Sequence, residues 1–185
     1  MNPFQVLIQT IVNGLLLGSI IALVAIGIAI IRGVMDMVNF AQGEFLMLGM
    51  YASYWINVKW NLDPLVSAPI TIALMFILGV IVYKVLIARV IEAPMLAQML
   101  LTFGLSIVLV NVGLFLWGSQ FKTIPNVLVK GTISIGGVMV SLNALVPALV
   151  SLLMAGAVYW FLMKTRMGRA FQATSMNKKA AALVG

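Results

Sequence analysis

The chain of 185 residues contains no cysteine and no histidine. Disulfides, thiolate nucleophiles, Cys/His zinc sites and histidine acid–base chemistry are therefore excluded. No metal site and no cofactor is expected. Charge is almost as scarce. Eleven Lys and Arg with four Asp and Glu make 8% charged residues, where a soluble globular domain carries about 25%. So few charges cannot coat a soluble surface of this size. The 16 glycines include no Gly-x-Gly spacing and no Gly-Lys pair. A dinucleotide fingerprint and a phosphate loop are thus both missing, and the chain cannot hydrolyse ATP itself.

Apolar residues fill the gap. Hydrophobic types make up 63% of the chain and the mean hydropathy is +1.17. The class that remains is a polytopic membrane protein, an all-α transmembrane helical bundle in contact with the lipid bilayer. The net charge of +7 then asks which side of the membrane the charges occupy, and no nucleic-acid partner is inferred from it.

Uncharged intervals place the spans. They run over residues 2–31, 45–58, 64–83, 93–121 and 131–163. A helix needs about 20 apolar residues to cross the hydrocarbon. Five crossings follow, over residues 5–31, 41–58, 65–84, 95–117 and 143–163. Pro3, Pro64, Pro69, Pro94 and Pro147 fall at or just inside the starts, where a missing N–H costs little. Residues 1–163 form the transmembrane region and 164–185 a cytoplasmic segment.

Five crossings put the chain ends on opposite sides. Arg32, Lys84, Arg89 and the tail residues Lys164, Arg166, Arg169, Lys178 and Lys179 then share one side, against Lys59, Lys122 and Lys130 on the other. The positive-inside rule makes the first side cytoplasmic, so the N-terminus lies outside and residue 185 inside. The outer loop 118–142 contains Gly131–Ser141, whose alternating apolar residues flank Gly136-Gly137. That pattern predicts a small hairpin.

Four features are candidates for function. The first is the segment from Gly33 to Glu44, which includes Asn39 and Gln42. The uncharged stretch behind it, 45–58, spans only about 21 Å as a helix, short of the roughly 30 Å hydrocarbon core. Polar groups are drawn below the headgroups. An acid on a lipid-facing helix costs roughly 3 kcal/mol at the centre, so an embedded Glu44 must face protein or water. One reading is a substrate path or gate. The other is a surface turn with Arg32 and Asp36 paired and Glu44 complementing the positive helix start. The second feature is the stripe Gly14, Gly18 and Ala22, whose four-residue spacing favours helix packing.

The third is the tail, Met167–Gly185. Asn177 or Ser175 is a good N-cap and 178–184 a good helix former, closed by Gly185. A short helix outside the membrane, with its small face of Ala180, Ala181 and Ala182 toward a partner, is expected. Fourth, Thr102, Ser106 and Asn111 are polar glue within the fourth span, or line a path.

Two stretches together resemble a known family. Leu15–Gly27 followed by Gly33-Val-Met-Asp-Met-Val-Asn-Phe-Ala-Gln-Gly-Glu-Phe-Leu-Met-Leu-Gly49 is similar to the N-terminal signature of high-affinity branched-chain amino acid ABC transporter permeases. Gly168-Arg-Ala-Phe-Gln-Ala with Ala180-Ala-Ala-Leu-Val-Gly185 resembles their cytoplasmic loop.

The resemblance implies a non-enzymatic permease subunit of an importer in the bacterial inner membrane. It implies a second permease subunit, two cytoplasmic ATPase subunits and a periplasmic binding protein as partners. Gly168, Arg169, Ala170, Ala173, Asn177, Ala180, Ala181 and Gly185 would form the coupling element that meets the ATPase. Asn39, Gln42, Glu44 and Asn111 would be candidates for the translocation path. The resemblance also implies further spans after residue 185. Three positions depart: Gln42 stands where relatives commonly have His, Arg32 where an aromatic is common, and Gln172 where Arg is frequent. They leave open a related permease for urea or short amides. A proton-coupled secondary transporter using Asp36 or Glu44, and a passive channel, are the rivals from other classes.

Overall fold

A computed structural model describes residues 3–124, 131–135 and 138–176. In chain order the helices are α1 (Pro3–Met35), α2 (Gln42–Trp60), α3 (Pro64–Val85), α4 (Met95–Trp117), α5 (Leu142–Lys164) and α6 (Arg166–Met176). A single 3₁₀ turn, Ile87–Arg89, follows α3, and strands β1 (Thr132–Ile135) and β2 (Val138–Ser141) precede α5. The protein is all-α and polytopic, as composition requires.

Five long helices lie where five spans are expected. Four of them, α1, α3, α4 and α5, are long and apolar enough to cross a membrane by length and composition. The shorter α2 has 19 residues, with Glu44 in its first turn and Lys59 in its last, and stands outside that group.

The lipid-facing character shows in the side chains. Leu15, Phe76 and Leu153 are 70%, 71% and 74% exposed, whereas the most deeply buried larger side chains are Asn57, Ser67 and Thr102. Apolar groups outward and small polar groups inward is the pattern of helices packed in hydrocarbon, where interhelical contact relies on close approach and hydrogen bonds.

The chain divides into two compact units, residues 1–36 with 129–185, and residues 37–128. In the first unit α1 packs along α5, and α6 folds back on both. The β1–β2 hairpin is antiparallel, with Thr132 opposite Ser141 and Ile135 opposite Val138. Its two connecting residues are outside the described set. Gln9 of α1 clasps the hairpin: its amide nitrogen donates to the Met139 carbonyl at 2.6 Å and its oxygen accepts from the Met139 N–H at 2.7 Å. One glutamine thus satisfies both backbone groups of an edge-strand residue.

In the second unit α2 packs against α3 and α4. Asn61 closes α2 in the left-handed conformation, φ 54, one of the few residue types that tolerate it. Asp63 then caps α3, accepting from the Leu65 N–H at 2.9 Å, with Pro64 as the first helical residue. Replacing Asp63 with alanine is expected to cost about 1 kcal/mol, read as a lower thermal midpoint of the purified protein. An unchanged midpoint would show the cap to be idle.

Two local readings are corrected. The surface pair of Arg32 and Asp36 does not form among the described residues. Asp36 instead ends α1 in the left-handed region, φ 57, with its N–H on the Arg32 carbonyl at 2.9 Å. Ser175 opens no helix. It sits in the last turn of α6 and its hydroxyl donates to the Gln172 carbonyl at 2.8 Å. α6 is a different helix from the one expected over 178–184: it begins at Arg166, and Thr165 provides its cap. The other proposed cap, Asn177, and the helix expected over 178–184 lie outside the described residues, as do Ala180, Ala181 and Gly185.

Candidate functional site

Two places carry the candidate residues, one in each unit. In the second unit the turn before α2 is built by Asn39, whose side-chain oxygen accepts from the Ala41 N–H at 3.0 Å. Such a local bond stabilises a turn that no helix or strand ladder supports. Met37 and Ala41 are buried on either side of it, at 2% and 0% exposure.

The turn is held by one face of α4. The hydroxyl of Thr102 lies 3.2 Å from the Val38 carbonyl and is also within reach of the Gln98 and Met99 carbonyls of its own helix. One turn further on, the Ser106 hydroxyl donates to Glu44 Oε1 at 2.7 Å. A Cβ on Gly113 would meet the methyl group of Met47, on the next turn of α2. One turn in the other direction, the Gln98 amide donates to the carbonyls of Ile91 and Ala93, both at 3.0 Å. Residues 98, 102 and 106 recur every fourth position, so they share a face.

Glu44 therefore faces α4. It stands in the first turn of α2, where a negative charge complements the helix dipole. Its second oxygen is buried and has no partner among the described residues. Gln42 is half-buried in the same turn. Asn111 is elsewhere: it is exposed, and its amide returns to the Ile107 carbonyl of its own helix at 2.7 Å. The structure thus brings Asn39, Gln42 and Glu44 together and leaves Asn111 out.

In the first unit the candidate is the corner between α5 and α6. Thr165 is extended, φ −93 and ψ 157, and serves both helices. Its N–H and hydroxyl both donate to the Phe161 carbonyl at the end of α5, at 3.1 and 2.7 Å. The same hydroxyl oxygen accepts from the Gly168 N–H at 3.0 Å, which caps α6. Gly168 is buried, and a Cβ on it would collide with the backbone carbonyls of Phe161 and Leu162 and with the Leu162 Cα. Only glycine lets the two backbones approach so closely.

The inner face of α6 is fixed by Phe171, whose ring lies 6.4 Å from that of Phe161. Gln172 adds a bond from its amide to the Leu162 carbonyl at 3.2 Å. Ser175 approaches Gly33 of α1, where a Cβ would sit 3.5 Å from the Ser175 Cβ. The opposite face carries Arg166, Arg169, Ala170 and Ala173, all exposed. Gln172, a departure from the family pattern, is here a brace between α6 and α5.

The small-residue stripe has a different outcome. A Cβ at Gly14 or at Gly18 meets nothing within 4 Å among the described residues, so neither glycine makes a close helix contact there. Reasoning from the sequence also missed Thr165, Gln98 and Gln9. The signals were present for two of them: a Thr three residues before Gly168 at the end of an apolar run, and a Gln four residues before Thr102.

The turn and the corner are the two stretches that carry the resemblance. A family model described as "Branched-chain amino acid transport system / permease component" matches residues 10–185. The chain belongs to this permease family. Among curated relatives, the high-affinity branched-chain amino acid transport system permease protein BraD of Pseudomonas aeruginosa is 32% identical over 190 residues, covering 96% of this chain and 62% of BraD. LivH of Salmonella typhimurium, with the same description, is 30% identical over all of this chain and 64% of its own length. LivH of Escherichia coli K12 is 29% identical with the same coverage. The chain therefore spans less than two thirds of the length of these relatives. No solved structure gives a significant match. Family membership and the four long apolar helices make the protein a multi-pass membrane protein.

Proposed function

We propose that this chain is a membrane-spanning permease subunit of an ATP-binding cassette importer for branched-chain amino acids. It works with a second permease subunit, two cytoplasmic ATPase subunits and a periplasmic binding protein that delivers leucine, isoleucine or valine. It lies in the bacterial inner membrane with its N-terminus outside and residue 185 in the cytoplasm. The subunit makes and breaks no covalent bond. ATP-driven motion of the ATPases is passed through α6 and the residues after it, and the spans rock to open one face at a time. The turn holding Asn39, Gln42 and Glu44 lies beside the path. The stripe Gly14, Gly18 and Ala22 packs against another subunit or a later span.

The observation that carries this reading is the construction of α6. Its inner face is locked to α5 through Gly168, Phe171 and Gln172 and approaches α1 at Ser175, while its outer face presents Arg169, Ala170 and Ala173. A lever needs both: a rigid attachment to the spans and a free surface for the motor. Single cysteines test it cleanly because the chain has none of its own. In the assembled transporter, cysteines at Ala170, Ala173 and across 177–184 are expected to crosslink to the ATPase, and one at Phe171 is not. Absence of a crosslink at every outer position would remove the coupling role.

A further inference from the structure

We propose that the second unit contains a binding site for the transported amino acid itself, formed between the middle of α2, the end of α4 and the loop 118–122 that follows it. The proposal rests on the branched-chain reading above and assigns a place to the substrate. The cavity measures about 440 Å³, within the roughly 300–1,000 Å³ of small-molecule sites.

Its base is apolar and adaptable: Met47 and Met50 of α2 face Leu114 of α4. Unbranched thioethers reshape around branched aliphatic groups of slightly different form. One wall is rigid, because Tyr51 stacks on Trp117 with ring centroids 4.2 Å apart and planes within 16°. Gly118, φ 73, ends α4 in a conformation that L side chains avoid and turns the following loop over the cavity mouth.

That loop brings in Lys122. Its ammonium lies 5.8 Å from the centre of the Tyr54 ring, and no carboxylate pairs with it among the described residues. No acid lines the cavity. One cation at the rim of an apolar, aromatic chamber suits a ligand with one carboxylate and an aliphatic body. The ammonium holds the carboxylate as a charge-assisted hydrogen bond, and the thioethers and Leu114 receive the branched side chain. Ser119 and Gln120 supply neutral oxygens at the same rim, which accept from the α-ammonium of the amino acid. In the proposed orientation this mouth opens to the outside, where a binding protein releases its cargo.

The complete transporter, without binding protein, is reconstituted in phosphatidylcholine vesicles, and Ser119→Cys is labelled from outside by an impermeant maleimide. Gln120→Cys serves if the first variant fails to assemble. Leucine is expected to slow labelling, and Lys122→Gln to raise the half-protecting concentration about tenfold. Isoamylamine, which is leucine without its carboxylate, should give no protection. Thr123→Cys, outside the lining, should label at the same rate with and without leucine.

Labelling that ignores leucine, or protection that survives Lys122→Gln unchanged, overturns the site. So does protection that follows added phosphatidylglycerol instead of leucine, since a lipid phosphate then owns the lysine. Uptake by the same vesicles with the binding protein present separates the two claims. Leucine uptake without protection sinks the site alone. Protection without uptake leaves an amino-acid site and removes the importer reading, and the loss of both removes both.

Discussion

Replacing Gly168 with alanine should severely impair transport. The added Cβ meets backbone, the carbonyls of Phe161 and Leu162 and the Leu162 Cα, and has no flexible side chain to push aside. Overpacking of a tight contact costs roughly 1–3 kcal/mol when neighbours can repack. Here the neighbours are the last turn of α5, so relief requires α6 to swing away from the corner. That movement breaks the bond from the Gly168 N–H to the Thr165 hydroxyl and the bond from Gln172 to Leu162.

The expected result is a fall in ATP-driven uptake of tenfold or more, on the order of what one lost kcal/mol or two of positioning produces. The subunits should still assemble and the ATPase should still turn over. Gly168→Ser should behave in the same way, and Thr165→Ser, which keeps the capping hydroxyl, should retain most uptake. Wild-type uptake by Gly168→Ala would show that α6 does not need this corner.

Ser106→Ala should have the second largest effect, and its partner decides its sign. Glu44 has one oxygen on the Ser106 hydroxyl and the other buried without a partner among the described residues. A hydrogen bond between membrane helices averages about 0.6 kcal/mol and reaches about 1.7. Removing the donor while the acid stays does more than lose that bond, because it leaves a part-buried carboxyl group with no side-chain donor among the described residues. Such an orphaned group costs about 1–3 kcal/mol or more.

Ser106→Ala is therefore expected to destabilise the purified protein by about that amount. Adding Glu44→Gln should recover part of the loss, because a neutral amide tolerates isolation better than a charge. The cycle of both single variants and the double variant isolates the pair. Additive effects would mean that the two side chains do not interact. The same Glu44→Gln variant discriminates mechanisms. An ATP-driven importer keeps part of its uptake, whereas a proton-coupled carrier that relays through Glu44 loses all of it and responds to a collapsed proton gradient.

The membrane class, the positions of the long helices and the hairpin follow from composition and periodicity alone. A chain with 15 charged residues in 185 belongs in lipid, where only helices or a closed barrel satisfy the backbone, and uncharged runs of about 20 residues or more select helices. The requirement that Glu44 face something polar was equally local, since one carboxylate in lipid is a penalty wherever the rest of the chain goes.

The partner of that carboxylate was not local. Ser106 is 62 positions away, and nothing in a run of Leu, Val and Ile separates a serine that faces a neighbouring helix from one that returns to its own backbone, as Asn111 does. α6 was not read from the sequence for a related reason. It begins where Thr165 reaches both Phe161 and Gly168, and that depends on the angle between two helices. Apolar patterning selects the solvent each segment prefers. Which small polar groups meet inside depends on rotation and crossing of the helices, which contacts far apart along the chain impose.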